Sequence, residues 1–288
     1  MTDQKKKSSL LKIGEVPYAN LFPIFYMLQR ECDCSKYEFI EGVPSKLNRL
    51  LRSGEIDVSP SSSIEYLRGE NKYTLIEGHS ISSKGPVGSI LLLSRKPIEE
   101  LEGKTILTSS QSETSVALLD IILKKFYKTE CSLRPIDEPL DSIINKTDAY
   151  LSIGDDALKA AKTATNNSKL RTPNSELIYI YDLGELWYKN TGLPFVFALW
   201  IVRRDCCEGK AELLNGLIQD LHKAKGLALK NFYKIAQALR PLLFSRHALD
   251  ITEEELLSYW KRISYDFTDE YKRGLELFRS YSEELDLL

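Results

Sequence analysis

Three short stretches of this chain place amide or hydroxyl side chains between an apolar strand-like run and the start of a helix-like run. The first stretch carries Asn20, whose side chain has both a donor and an acceptor. The second carries Ser62 and Ser63, and the third carries Thr114 and Ser115. Backbone N–H groups at a helix start bind anions, and neighbouring hydroxyls add donors. The pattern therefore predicts a site for an anionic ligand.

Each of these side chains also has an ordinary structural explanation, because Asn, Ser and Thr are favoured helix caps. For Asn20 taken alone, the sequence favours the cap over a ligand-binding role. For the set, three such loops at strand ends in one chain favour ligand binding, since open α/β sheets bind ligands in that position.

The elements that must position these residues follow from local signals. Residues 12–16 form a short apolar run that Pro17 ends, and a helix follows at residues 21–28 with Pro23 in its first turn. After a second strand at 38–42, another is predicted at 56–58 with a loop at 59–63. A further strand is predicted at 105–107, with its loop at 108–115.

Two apolar strands, residues 89–94 and 195–203, bracket a middle segment of alternating strands and helices. This order predicts an α/β protein with a two-lobed, periplasmic-binding-protein-like (type II) fold, a hinge between the lobes and the ligand site between them. We expect a disordered N-terminal tail at 1–11, a first lobe of residues 12–95 plus 196–288 that includes the C-terminal helices, and a second lobe of residues 96–195.

Composition excludes several classes of partner. The net charge is −2 and the basic residues are scattered, which argues against a nucleic-acid partner. No apolar run is long enough to cross a bilayer, and the polar start of the chain lacks the apolar core of a secretory signal. The five cysteines form neither a disulfide framework nor a zinc motif, so we expect reduced thiols, a cytoplasmic location and no metal.

Eight separated stretches make the chain recognisable by their order and spacing. They are Y-A-N-L-F-P at 18–23, V-P-S-K-L-N-R-L-L-R-S-G-E-I-D-V at 43–58, S-S-I-E-Y at 62–66, I-S-S-K-G-P-V-G-S at 81–89, T-S-V-A-L-L at 114–119, I-G-D-D-A-L at 153–158, Y-D-L-G-E-L-W at 181–187 and T-G-L-P-F-V-F-A-L-W at 191–200. Over nearly the whole chain after residue 11, the sequence resembles the chorismate dehydratase family of the futalosine route to menaquinone.

The resemblance implies a hydro-lyase that removes water from chorismate to give 3-[(1-carboxyvinyl)oxy]benzoate, without a metal or redox cofactor. It implies that Asn20 and Ser89 are catalytic. Chorismate has two carboxylates and helix starts favour anions, so we assign Ser62 and Ser63 to one carboxylate and Thr114 and Ser115 to the other. Tyr18 and Asp155, which lie in matched stretches, are expected to bind the substrate as well. Ser59 and Ser61 depart from the family pattern, where Ala and a branched apolar residue are expected.

The general base stays open at this point. His79 precedes a matched stretch and Glu65 lies within one, but a structural role is at least as common for either. We prefer substrate assistance, in which the enolpyruvyl carboxylate takes the ring proton while Asn20 fixes its geometry. The alternative functions are the sister lyase that makes 1,4-dihydroxy-6-naphthoate and a solute-binding protein without catalysis.

Overall fold

The structure is a computed structural model that describes residues 10–138, 147–162, 169–171, 177–247 and 251–288. Most of the tail predicted at 1–11 lies outside the described residues. Leu11 lies within them and is fully buried as the first residue of a strand.

The described chain contains strands and helices along its whole length, with three consecutive helices between the last two strands. The strands are β1 (Leu11–Glu15), β2 (Tyr37–Glu41), β3 (Val58–Ser62), β4 (Tyr73–Ser83), β5 (Ile90–Ser94), β6 (Thr105–Ser109), β7 (Ser132–Ile136), β8 (Ala149–Ile153), β9 (Lys169–Arg171), β10 (Leu177–Asp182), β11 (Phe195–Arg203) and β12 (Ile263–Ser264). The α-helices are α1 (Phe22–Glu31), α2 (Pro44–Ser53), α3 (Ser63–Arg68), α4 (Glu113–Ile121), α5 (Gly154–Lys162), α6 (Leu183–Thr191), α7 (Arg204–Gly209), α8 (Ala211–His247), α9 (Glu253–Trp260) and α10 (Asp269–Glu284).

The chain divides into two compact units. Unit 1 comprises residues 1–81, 198–260 and 265–267, and unit 2 comprises residues 82–197, 261–264 and 268–288. The lobe boundaries that the sequence predicts, near residues 95 and 196, stay a prediction.

The sheet of unit 1 has the strand order β4–β11–β3–β1–β2. β1 runs parallel to β2 and β3, whereas β11 runs antiparallel to β3. The carboxyl ends of the three parallel strands therefore meet at one edge of the sheet, which is the edge where such sheets bind ligands. We call it the unit 1 edge.

The prediction of a loop at residues 59–63 is wrong, because Val58–Ser62 is a strand. All five of its residues are buried, and it lies between β1 and β11 in the middle of the sheet. Gly14 of β1 shows how closely the strands approach, since a Cβ there would lie 2.6 Å from the Ser59 Oγ. Ser and Pro are turn-forming residues in isolation, but their place between two strands determines their structure here.

The sheet of unit 2 has the order β7–β6–β8–β5–β10–β9. β6 is parallel to β7 and β8, and β5 is antiparallel to β8 and β10. The carboxyl ends of β6, β8 and β10 and the amino end of β5 consequently lie at one edge, which we call the unit 2 edge.

An aromatic cluster holds the last helix, α10, within unit 2. The Phe278 ring of this helix packs 6.4 Å from that of Trp187 and 5.0 Å from that of Phe195, both of which belong to unit 2. A side chain at Gly274 would collide with the carbonyl of Pro194, so only glycine allows this close approach.

The longest helix, α8, changes direction at Asn231, whose φ of −127° is not helical. None of the described helices is long and apolar enough to cross a membrane. All five cysteines lie among the described residues, and none forms a disulfide. Cys206 is buried, and the other four are partly buried.

Candidate functional site

The predicted site residues form two groups, one at the edge of each unit's sheet. In unit 1, Tyr18 and Asn20 lie in the loop that follows β1, and Ser62 and Ser63 lie where β3 passes into α3. In unit 2, Ser89 precedes β5, whereas Thr114 and Ser115 open α4 and Asp155 opens α5. The structure brings the members of each group to a common edge.

Side chains from a distant part of unit 1 fix the backbone around Asn20. The indole Nε1 of Trp260 donates to the carbonyl of Ala19 over 2.8 Å. The hydroxyl of Tyr265 donates to the carbonyl of Asn20 itself over 2.7 Å. The Tyr18 carbonyl accepts from the N–H groups of Leu21 and Phe22 at the start of α1. Four contacts thus hold three consecutive peptide groups.

Asn20 is not the helix cap that the sequence alone favours. The N-cap of α1 is Leu21, and no side chain caps that helix. The Oδ1 of Asn20 is buried and has no hydrogen-bond partner among the described residues. A buried amide oxygen without a donor costs about 1–3 kcal/mol unless something supplies a hydrogen bond. The Oδ1 of Asn20 is therefore able to accept a hydrogen bond from a ligand donor.

Ser62 occupies the N-cap position of α3, but its side chain makes no capping bond. Instead, its Oγ accepts a hydrogen bond of 2.9 Å from the Nδ2 of Asn48, a buried residue of α2. Ser63, the first residue of α3, is fully buried. The serines are therefore set in a packed polar cluster rather than in an open turn.

Glu65 braces unit 1. Its side chain is 2% exposed, and its two oxygens accept from Arg52 Nη1 over 2.6 Å and from Tyr73 Oη over 2.7 Å. Burial, together with the hydrogen bond to Glu65, raises the pKa of Tyr73. Both carboxylate oxygens are engaged, which supports the structural interpretation of Glu65 over a role as base.

His79 is likewise packed inside unit 1. Its Nε2 lies 3.2 Å from the Nδ1 of His222, which is 2.8 Å from the carbonyl oxygen of Ile218. Burial, reinforced by the nearby charge of Lys225 and by His222, lowers the pKa of His79 to about 3. A neutral, enclosed imidazole of this kind is a poor base for a ligand proton at neutral pH.

At the unit 2 edge, Ser89 and Asp155 are neighbours through the backbone. The carbonyl of Ser89 accepts from the N–H of Gly154 over 2.8 Å, and the pairing of β5 with β8 places Ile90 opposite Ile153. Both side chains are buried, with exposed fractions of 4% for Ser89 and 7% for Asp155.

The start of α4 combines a structural cap with two candidate ligand-binding residues. Ser112 is the cap, because its Oγ accepts from the N–H of Ser115 and donates to the Ser115 Oγ over 2.8 Å. Thr114 and Ser115 are 1% and 2% exposed within the first turn. Ser112 is thus the residue that caps α4, and the hydroxyl of Thr114 is not required for capping.

Asp182 shapes the loop that leads to Ser89, a role that the sequence analysis missed. Its carboxylate accepts from the N–H groups of Val87 and Gly88, and it also caps α6 through Glu185 N. Burial raises the pKa of Asp182, although these backbone hydrogen bonds oppose the shift. Gly184 must be glycine, because a Cβ there would lie 2.6 Å from the Gly85 carbonyl oxygen.

Asn48, Trp260 and Tyr265 were also missed. Asn48 had a usable signal, since it stands beside Leu47 and Leu51 on the apolar side of a predicted helix. Trp260 and Tyr265 had none, because only tertiary contacts bring them to Asn20. Within the described residues, no group of three or more His, Cys, Asp or Glu side chains could hold a metal ion.

Comparison with known proteins identifies the family of this chain, which the geometry of the site does not. A family model described as menaquinone biosynthesis matches residues 11–284. The chorismate dehydratase of Thermus thermophilus is 32% identical over 249 residues, which are 82% of this chain and 86% of that protein. The 1,4-dihydroxy-6-naphtoate synthase of the same organism is 24% identical over 272 residues, 92% of this chain and 91% of that protein.

Solved structures confirm the predicted fold. A protein from Archaeoglobus fulgidus superposes with a TM-score of 0.75 at 19% identity, covering 98% of this chain and 99% of that one. The periplasmic aliphatic sulphonate binding protein SsuA of Escherichia coli gives a TM-score of 0.66 at 14% identity, covering 97% and 88%. The α/β, periplasmic-binding-protein-like fold is therefore shown, and by its match over residues 11–284 the chain belongs to the menaquinone biosynthesis family.

Proposed function

We propose that this protein is a chorismate dehydratase, a lyase that converts chorismate to 3-[(1-carboxyvinyl)oxy]benzoate and water. The observation that carries the proposal is its 32% identity to the Thermus thermophilus enzyme of that name over 82% of the chain. Membership of the menaquinone biosynthesis family agrees with it.

The reaction defines what the protein must supply. Chorismate carries a ring carboxylate, an enolpyruvyl ether that ends in a second carboxylate, and a ring hydroxyl. A base removes the ring proton, the C–H electron pair becomes part of the aromatic ring, and the C–O bond to the hydroxyl breaks. The departing hydroxyl takes up a proton and leaves as water. Aromaticity provides the driving force, so the protein mainly has to orient groups and stabilise charge.

Asn20 is the residue to which we assign the chemical step, together with Ser89. An amide is not a base, so Asn20 acts by orienting or by hydrogen bonding. We propose that the enolpyruvyl carboxylate takes the ring proton while Asn20 fixes its geometry. The anchoring of the Ala19 and Asn20 carbonyls by Trp260 and Tyr265 supports this role, because a preorganised group need not reorder during reaction.

Two helix starts are proposed to bind the carboxylates. Ser62 and Ser63 at the start of α3 take one, and Thr114 and Ser115 at the start of α4 take the other. We assign supporting contacts with the substrate to Tyr18 and Asp155. The position of the serine and threonine hydroxyls at the N-cap or in the first turn of a helix supports the assignment, because helix N-termini favour anions.

The proposal includes catalysis without a metal or redox cofactor and a cytoplasmic location. The disulfide-free state of the five cysteines supports the location, because reducing compartments keep thiols free.

The decisive experiment is to incubate the purified protein with chorismate and to follow formation of the aromatic product by absorbance and mass spectrometry. We expect product without added metal or nucleotide, and unchanged rates in the presence of a chelator. Loss of activity with a chelator and recovery with zinc would refute cofactor-free catalysis.

The 24% identity to the naphthoate synthase makes that lyase the second candidate. Its activity would appear as release of a dihydroxynaphthoate from the corresponding pathway precursor, with chorismate left intact. A solute-binding protein would bind chorismate and return it unchanged.

A further inference from the structure

Asn48 is a buried amide that the function proposed above does not use. It lies on the second turn of α2 and is 1% exposed. Its Nδ2 donates to the Oγ of Ser62 over 2.9 Å. Its Oδ1 is buried as well and has no hydrogen-bond partner among the described residues. Among the described residues, the Nδ2 donor of this amide therefore has a partner and its Oδ1 acceptor has none.

The unsatisfied atom restricts the chemistry of any group that pairs with it. An amide oxygen accepts hydrogen bonds and donates none. A buried acceptor without a donor is destabilising, and the link to Ser62 does not relieve that penalty. A carboxylate cannot relieve it either, because an ionised carboxylate has only acceptors. A ligand hydroxyl can.

The position of Asn48 places this acceptor where a ligand is expected. α2 begins after β2, the Asn20 loop follows β1, and Ser62 ends β3, so all three residues belong to the unit 1 edge. The Oδ1 of Asn20 is a second buried acceptor without a partner on this edge. Two unsatisfied amide oxygens on one edge, one of them in an amide bonded to Ser62, match a ligand that brings a hydroxyl donor as well as a carboxylate.

We propose that Asn48 is a specificity-determining residue whose Oδ1 accepts a hydrogen bond from the ring hydroxyl of the substrate. The inference rests on the proposed function, since chorismate has this hydroxyl and the dehydrated product lacks it. The Nδ2 bond to Ser62 fixes the orientation of the amide. The same bond occupies a lone pair of Ser62 Oγ and leaves its proton available to a ligand acceptor.

Chorismate and its product form a matched ligand pair, because both carry two carboxylates and only chorismate carries the hydroxyl. The test compares the KM for chorismate with the inhibition constant of the product. For Asn48→Leu, which removes the acceptor, we expect KM to rise about tenfold and the inhibition constant to change by less than about twofold.

Two further variants separate recognition from packing. Asn48→Asp keeps an acceptor but adds a negative charge, so we expect it to weaken both ligands by a similar factor and to preserve their ratio. Leu51→Ala removes a buried side chain from the same helix, and we expect it to lower the Tm without changing the ratio.

If Asn48→Leu weakens both ligands equally, the residue is structural and the inference is overturned. A wild-type protein that turns over no chorismate would refute the proposed function instead. In that case calorimetric titrations of the wild type and Asn48→Leu with both ligands still test Asn48. A selective loss of chorismate affinity would support the inference, and binding of neither ligand by the wild type would overturn it too.

Discussion

The hydroxyl of Tyr265 donates to the carbonyl of Asn20 across 2.7 Å, although the two residues are 245 positions apart in the sequence. Trp260 makes the equivalent bond to the preceding carbonyl, that of Ala19. Tyr265 is itself held, because its carbonyl accepts from the N–H of Ser80. The loop that carries the proposed catalytic amide is thus part of the core of unit 1.

The first prediction is that Tyr265→Phe slows turnover without weakening substrate binding. The variant deletes one buried hydroxyl and leaves the ring packing intact, so the Asn20 peptide gains freedom. We expect kcat to fall about tenfold at constant KM, with a loss of about 1 kcal/mol in the free energy of unfolding. Steady-state kinetics and urea unfolding measure both quantities.

Tyr73→Phe is the matched control. It deletes a buried hydroxyl of unit 1 whose hydrogen bond is also 2.7 Å long, but the acceptor is Glu65 of α3 and not the Asn20 loop. The control should lose stability and keep kcat. Equal effects of the two variants on kcat would show that Tyr265 acts only through general stability.

The second prediction concerns Asn20→Asp. The substitution keeps the size of the side chain and replaces the amide with a negative charge, in a site for a dianion. Because Leu21 rather than Asn20 is the N-cap of α1, we expect a folded protein. Loss of a preorganised hydrogen bond lowers turnover about a hundred- to a thousandfold, and we expect a fall of at least about a hundredfold here. Near-normal turnover by the folded variant would remove Asn20 from the chemical step.

The third prediction separates anion binding from helix capping at the start of α4. Thr114→Val keeps the shape of the side chain and removes its hydroxyl, so we expect KM to rise about tenfold with kcat nearly unchanged. Ser112→Ala removes the cap and its hydrogen bond to the Ser115 Oγ, so it should cost about 1 kcal/mol of stability and raise KM less than Thr114→Val does. A collapse of kcat at constant KM in Thr114→Val would assign this residue to the chemistry instead.

The fourth prediction is that His79 makes the fold sensitive to acid. In the folded state burial holds its pKa near 3, against 6.5 for an ordinary histidine. As the pH falls below about 6.5, the unfolded chain therefore binds a proton that the folded chain does not. The free energy of unfolding then decreases by up to about 1.4 kcal/mol per pH unit. Above about pH 6.5 the contribution of His79 to the free energy of unfolding no longer depends on pH.

His79→Gln removes the pH-dependent contribution of His79 to the free energy of unfolding. The difference in unfolding free energy between the wild type and the variant should be flat above about pH 6.5 and should change steadily towards about pH 4. Urea unfolding across that range measures it. Parallel profiles for the two proteins at every pH would contradict the prediction.

Local signals were sufficient for much of the fold. The apolar run at 195–203 predicts a strand with the bounds that the structure has, Phe195–Arg203. Pro23 marks the first turn of α1, and Gly54 ends α2 in a left-handed conformation with φ of 82°, which glycine adopts without strain. These features depend on the backbone preferences of single residues, and a sequence displays such preferences directly.

The errors arose where tertiary contacts override those preferences. Residues 59–62 look like a turn, yet pairing with β11 and burial make them a strand. Asn20 looks like a cap, yet Trp260 and Tyr265 anchor the loop around it. The predicted site residues do cluster at the two sheet edges, because residues after parallel strands share an edge whatever the loop details. Their chemical roles are decided by experiment.

The burial of three cysteine side chains also affects their reactivity towards electrophiles and oxidants. Burial, with a contribution from nearby carboxylates, raises the pKa to about 11 for Cys32 and Cys131 and to about 12 for Cys206. At neutral pH fewer than about one in a thousand of these groups is ionised, and the thiolate is the form that attacks electrophiles and peroxides. These three cysteines should therefore resist alkylation and oxidation.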